Sequence, residues 1–170
     1  EGLTKITSAE LLKSGGNFIK TNFGSSRTDI YYSSSNVIGS FLNNNYLNPA
    51  NNYLTNEQLS MIEDNTTWYL GTLNAGSSYK LAKYTDTTSE TLTSRVTQAK
   101  VGLLRNGELM AGQFARSTNN IRYYLLTPIM SYIGEINDLG FGSYHNALTN
   151  QYGIKPTMNL KENIIITSGD

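Results

Sequence analysis

The chain predicts an α+β fold: two or three short helices, then an irregular antiparallel sheet with long loops. Two observations predict it. Helix-start patterns and helical apolar spacing fall in the first third. Short apolar runs separated by Gly-, Asn- and Ser-rich stretches fill the remainder.

The elements follow in order. Thr7-Ser8-Ala9-Glu10 has the spacing of a capping box, with Leu11 and Leu12 as the buried side and Gly15-Gly16 as the stop. Asn17 to Lys20 reads as a brief strand, and Ile30-Tyr31-Tyr32 as an apolar segment. Val37, Ile38, Phe41 and Leu42 lie on one face of a helix that Ser35 caps. Gly39 permits close packing there, and Asn43-Asn44-Asn45 unwinds the helix. Thr55-Asn56-Glu57-Gln58 is a second capping box, opening a short helix anchored by Leu59, Met61 and Ile62. Trp68-Tyr69-Leu70-Gly71-Thr72 reads as strand, as does Tyr79 to Tyr84 with one wet face; Thr85 to Thr97 reads as a long loop. Lys100 to Leu104 is expected to be a central strand. Asn106-Gly107 marks a turn before one helical turn over Glu108 to Gln113. Tyr123 to Pro128 and Tyr152 to Leu160 are expected to be framework strands, with a short strand at Ile133 to Ile136 between them. Ile164 to Thr167 closes the chain as a strand paired within the sheet, because consecutive Ile side chains are costly to expose. There is no internal repeat.

Composition narrows the function. At 170 residues the chain is long enough for one domain with a real core. Charged residues make up only 15%, with 13 acids balanced by 13 bases. No basic field exists to hold a phosphate backbone, so nucleic acid is excluded as a dedicated partner. Solubility rests on Asn, Ser, Thr and Tyr, a surface chemistry expected of secreted and cell-surface proteins. Without cysteine there is no disulfide, thiol catalysis or thiolate metal site. No apolar run approaches the roughly 18 residues of a membrane span. The chain begins at Glu1, without Met, and ends at Ser168-Gly169-Asp170. It is therefore expected to be a fragment of a longer protein whose only membrane contact is an N-terminal anchor.

Catalytic groups are sparse. His145 is the sole histidine, and no Gly-x-Ser-x-Gly elbow supplies a serine for it. No cofactor and no metal are expected. Glu135 with Ile136-Asn137-Asp138 is the densest set of calcium-type ligands, and it reads as solvated surface. Trp68 and the tyrosines outside 123–152 read as core or core edge. Residues 129–151, rich in Tyr, Asn, Ser and Gly, are expected to form an exposed recognition surface between the two framework strands. Tyr132, Glu135, Asn137, Phe141, Ser143, Tyr144, His145 and Asn146 are the candidate ligand contacts. The expected ligand is a protein or glycan on another cell or surface. The alternative is a structural head domain of a pilus or surface fibre, with the same surface touching neighbouring subunits.

Several segments carry a resemblance. Ser33 to Tyr46, Trp68-Tyr69-Leu70-Gly71, Ala99 to Leu104 with Gly107-Glu108-Leu109, and Tyr123 to Pro128 each look like a block of one family. So do Gly153-Ile154-Lys155-Pro156, Asn159-Leu160 and Ile164 to Asp170. The chain resembles an uncharacterised C-terminal domain family of secreted and surface proteins of Gram-positive bacteria. It departs from that pattern at Tyr124, where Trp is usual, and at Lys155, where Arg is usual. The arrangement also looks like the C-type-lectin-like fold, a small irregular sheet displaying a ligand-binding loop surface. The calcium-binding Glu-Pro-Asn and Trp-Asn-Asp motifs of its sugar-binding members are absent. Calcium-independent members include variable proteins diversified by retroelements, and residues 129–151 occupy the place that varies in them.

Overall fold

A computed structural model describes residues 3–73, 95–110, 114, 120–140 and 142–165. It is an α+β structure, mostly β. The strands are β1 (Lys5–Thr7), β2 (Lys13–Ser14), β3 (Asn17–Phe18), β4 (Lys20–Thr21), β5 (Thr66–Tyr69), β6 (Val96–Ala99), β7 (Val101–Gly102), β8 (Tyr123–Ile129), β9 (Tyr132–Ile136), β10 (Gly142–His145), β11 (Tyr152–Gly153) and β12 (Thr157–Asn159). The helices are α1 (Val37–Ser40), α2 (Asn56–Met61) and α3 (Asn106–Met110). A five-stranded sheet runs β10-β9-β8-β11-β4 and a three-stranded one β1-β12-β7; β2-β3 and β5-β6 are hairpin-like pairs. The strand pairings among the described residues are antiparallel except β8 with β11, and an isolated parallel bridge joins Leu73 to Ile129.

β8 organises the larger sheet. All seven of its residues are buried. Tyr124 and Leu126 enter a cluster with Phe23, Tyr32, Ile38 and Trp68. Tyr123 and Leu125 enter a second with Leu11, Leu104 and Leu109. Alternation along a strand sends neighbours to opposite faces, so apolar residues at every position require cover on both sides. Of the aromatics read as core or core edge, Trp68, Tyr32 and Tyr46 are buried and Tyr31, Tyr53 and Tyr69 are half-buried, while Tyr79 and Tyr84 lie outside the described residues. The Trp68 indole N–H donates to the Ala99 carbonyl at 2.9 Å. Its ring lies against Gly102, where an added Cβ would sit 2.7 Å from ring carbons.

The helix expected over residues 7–16 is instead strand and hairpin. Thr7 ends β1, and Gly15-Gly16 joins β2 to β3. Both glycines have positive φ, 56° and 82°, as a type I′ hairpin turn needs. Leu12 pairs its N–H with the Ile154 carbonyl and its carbonyl with the Ile19 N–H, both at 2.9 Å, so the intervening segment is held extended.

The second expected helix forms, but Asn36 caps it, not Ser35: the Asn36 Oδ1 accepts from the Gly39 N–H at 3.0 Å. Ile38 and Leu42 are buried, Phe41 packs at the edge, and Val37 is exposed. After one turn the helix widens into a π turn over Phe41–Asn45. Asn43 supplies the reason. Its amide N–H donates to the Gly39 carbonyl at 2.9 Å, competing with the main-chain bond there. The same side chain donates to the Val101 carbonyl and accepts from the Val101 N–H, both at 3.0 Å. It thus takes the place of a strand partner for β7. Residues 100–104 were expected to be a central strand; β7 is two residues long and closes an edge of the smaller sheet.

The capping box at Thr55 is present as read. Thr55 Oγ1 accepts from the Gln58 N–H at 3.1 Å, and Gln58 Oε1 accepts from the Thr55 N–H at 2.9 Å. Asn106-Gly107 is not a free turn but the start of α3, where the Asn106 N–H donates to Thr127 Oγ1 at 2.9 Å. Val96 and Thr97, expected in a loop, pair with Tyr69 and Trp68. The strand expected at Tyr79–Tyr84 lies outside the described residues.

Ile164 and Ile165 do not form the expected terminal strand. The Lys161 N–H is taken by the Met61 carbonyl, and the Ile164 N–H closes a turn on the Lys161 carbonyl, both at 3.0 Å. Ile165 is 83% exposed and borders an apolar groove of about 610 Å³ beside Ile6, Met61 and Leu160.

The buried tyrosines set the alkaline limit of the fold. Burial raises Tyr46 to about 12 and also raises Tyr32 and Tyr124. In the unfolded chain a tyrosine loses its proton near about pH 10. Above that pH the native state holds more protons than the unfolded state, so stability falls as pH rises. Thermal unfolding followed by circular dichroism is expected to show Tm dropping steeply between about pH 10 and about pH 12. Tyr32→Phe is expected to shallow that drop; an unchanged slope contradicts the account.

Candidate functional site

Within 129–151, residues 132–136 and 142–145 are paired strands rather than an open loop. Met130-Ser131 links β8 to β9 in a two-residue hairpin, with Ile129 opposite Tyr132. Met130 has φ 56°, a region that a side chain other than Gly or Asn adopts at a cost of about 1 kcal/mol or more. Asn137 to Gly140 turns β9 into β10. The Asn137 side chain accepts from the Leu139 N–H at 3.0 Å, its carbonyl accepts from the Gly140 N–H at 2.9 Å, and Gly140 has φ 83°. Ile133 to Ile136, read as a short strand, is a strand, and it lies between β8 and β10.

Register then divides the candidate contacts between two faces. Ser143 pairs with Glu135, Tyr144 with Gly134, and His145 with Ile133. Directly paired residues share a face and successive residues alternate. Glu135, Ser143 and His145 therefore lie on one face, and Tyr132 and Tyr144 on the other. The eight expected contacts do not form one surface. Asn137 and Asn146 act locally as turn residues, Asn146 accepting from the Leu148 N–H at 2.9 Å. Phe141 lies outside the described residues.

Glu135 is fully buried, which overturns its reading as solvated surface. Its Oε1 accepts from Arg122 Nη1 at 2.8 Å and from His145 Nδ1 at 2.9 Å. A carboxylate only accepts, so Nδ1 carries the hydrogen. Its Oε2 is buried without a hydrogen-bond partner among the described residues. Arg122 and His145 are each over one-third exposed and roof the carboxylate. Arg122 also approaches Asp138 at 3.7 Å. Burial works against the Arg122 charge, but the attraction and hydrogen bond of Glu135 prevail and raise its pKa. Tyr152 completes the cluster, its ring 5.7 Å from that of His145 and 5.2 Å from that of Tyr124. Burial, then the Glu135 charge, push Tyr152 up to about 12 against the opposing pull of Arg122.

The opposite face is covered at Ile136 by the second core cluster and open at its tyrosines. Tyr132 and Tyr144 are each 40% exposed, their rings 5.3 Å apart and tilted by 36°. Of eight large hydrophobic side chains exposed among the described residues, five lie between Met130 and Leu148. Of the five, Tyr132 and Tyr144 are in ring contact.

Arg122, Met130, Leu139, Leu148 and Tyr152 were missed as site residues in the sequence. Arg122 was legible in principle, because 122, 124 and 126 share one face of β8. Alternation would likewise have put Glu135 beside buried Ile133. No group of three or more His, Asp or Glu side chains among the described residues is placed to hold a metal ion. No family model, curated protein or solved structure matches this chain.

Glu135→Gln tests whether this carboxylate is support or contact. The amide cannot balance Arg122, and about 1–3 kcal/mol of stability is expected to be lost. Urea unfolding measures it; an unchanged midpoint would remove Glu135 from its supporting role.

Proposed function

We propose that the domain is an extracellular, non-catalytic binding module presenting the surface of residues 129–151 to a protein or glycan. The observation that carries this reading is the pair of partly exposed tyrosine rings, Tyr132 and Tyr144, in contact on one sheet face. Met130 stands at the adjoining hairpin tip and is exposed as well. Paired tyrosines offer rigid contact area at low entropic cost, and they stack on sugars or peptides alike. Met130 adds a backbone strain of the kind that collects at functional sites. Glu135, Arg122 and His145 act from behind, fixing the strands that carry the tyrosines.

A C-type-lectin-like arrangement belongs to the same proposal. Its support is the small irregular sheet in which β9 and β10, the chain between β8 and β11, lie on the outer side of β8. Diversification of residues 129–151 would then fall on Tyr132, Tyr144 and the turn residues, while buried Ile133, Glu135 and Ile136 stayed fixed. The poverty of charge, with solubility resting on Asn, Ser, Thr and Tyr, supports a secreted or surface-displayed protein. The reading as a head domain of a pilus or surface fibre draws on a separate feature, an outer edge of β10 to which no described residue pairs.

Binding of the domain to a glycan array and to a panel of bacterial surface proteins, with the double variant Tyr132→Ala/Tyr144→Ala as control, tests the module. The variant is expected to lose at least tenfold in affinity, about 1.4 kcal/mol, while its Tm stays close to that of the parent. Unchanged affinity for a ligand that the parent binds would refute it.

A further inference from the structure

The five-stranded sheet has two unlike edges. β4 is two residues long and carries Lys20. β10 is four residues long and contains no Pro, Lys or Arg; its register with β9 is unbroken. Short length, charge and bulges are the usual protections of an edge, and β10 lacks the last two. An antiparallel strand turns the N–H and C=O of every second residue away from its neighbour. No described residue takes up those groups on the outer side of β10.

We propose that β10 pairs antiparallel with β10 of a second copy of this chain, about a two-fold axis at Tyr144. Charge permits it. Gly142 to His145 holds no carboxylate, lysine or arginine, so two copies meet without like-charge repulsion. The apolar ends match as well. Leu139 precedes β10 and is 76% exposed; Leu148 follows it and is 39% exposed. An antiparallel two-fold pairing brings Leu139 of each copy to the end of the strand where Leu148 of the other emerges.

Geometry restricts the register, and the tyrosine pairs choose within that restriction. A two-fold axis perpendicular to the sheet keeps each face on its own side. Residues that meet must therefore belong to the same face, which in an alternating strand means the same parity. Tyr144 can face Tyr144, and Ser143 can face His145; Ser143 cannot face Tyr144. The axis at Tyr144 joins the two Tyr132–Tyr144 pairs into one row of four tyrosines on the open face. The proposed binding surface is thereby doubled rather than covered. A strand pair this short is marginal alone, so the dimer is weak and depends on concentration.

The whole chain, studied by sedimentation velocity from low micromolar to near-millimolar concentration, tests the pairing without any variant. A reversible monomer–dimer equilibrium is expected. The register is tested by Tyr144→Cys under mild oxidation, in a chain that otherwise has no cysteine. Directly opposed residues have Cα atoms about 4.5–5.5 Å apart, within the reach of a disulfide. Tyr144→Cys is expected to form a covalent dimer efficiently, and Leu139→Cys at least tenfold more slowly. A monomer at every concentration overturns the proposal and leaves the edge to a strand of another protein. A dimer in which Leu139→Cys cross-links as fast as Tyr144→Cys also overturns it. Neither failure touches ligand binding by Tyr132 and Tyr144, which a monomer can perform.

Discussion

A carboxylate with no access to water must be met by donors where it lies, and Glu135 is such a group. An isolated buried charge costs several kcal/mol even after the protein relaxes around it. Arg122, just before β8, and His145, at the end of β10, meet one oxygen of this central-strand residue. Three adjacent strands are thereby tied at one point. Both partners are partly exposed, so water tempers the gain from the pair while the carboxylate stays dry. The order of the meander β8-β9-β10 and the position of its outer face depend on this contact.

That constraint gives the two faces of the hairpin different chemistry. On one, Glu135, His145, Arg122 and Tyr152 form a polar cluster that leans on the main core through Tyr124 and Phe23. On the other, Tyr132 and Tyr144 stand partly in water. A protein with so few charges cannot hide an aromatic patch within a field of lysines and glutamates. The tyrosine pair is held by hydrogen-bonded strands instead of a loop, which in the proposed binding role lowers the entropy lost on contact with a ligand.

Much of this was legible in the sequence wherever local chemistry and tertiary packing agree. The box at Thr55 formed because both its side-chain bonds are local. Tyr123 to Pro128 formed a strand because an apolar run of that length has few other ways to be buried. Gly15-Gly16 misled because positive φ serves a helix stop and a hairpin turn equally, and only the pairing of Leu12 with Ile154 and Ile19 decides. Asn43 was taken as a helix breaker, and its bonds to Val101, far along the chain, carry no local signal. Glu135 was read by its charge rather than by its place in the alternation Ile133, Glu135. Ile164 and Ile165 misled because the bonds made by Lys161 turn the chain at Ile164; Ile166 and Thr167 lie outside the described residues.

The central claim is that residues 132–136 are an interior strand and not part of a display loop. Native-state hydrogen exchange of the whole chain tests it most directly. The account predicts that the amides of Ile133 to Ile136 exchange only with near-global unfolding, in the slowest class with those of β8, while outward amides of β10 exchange much faster. Uniformly fast exchange from Met130 to Asn150, with β8 alone protected, would contradict it.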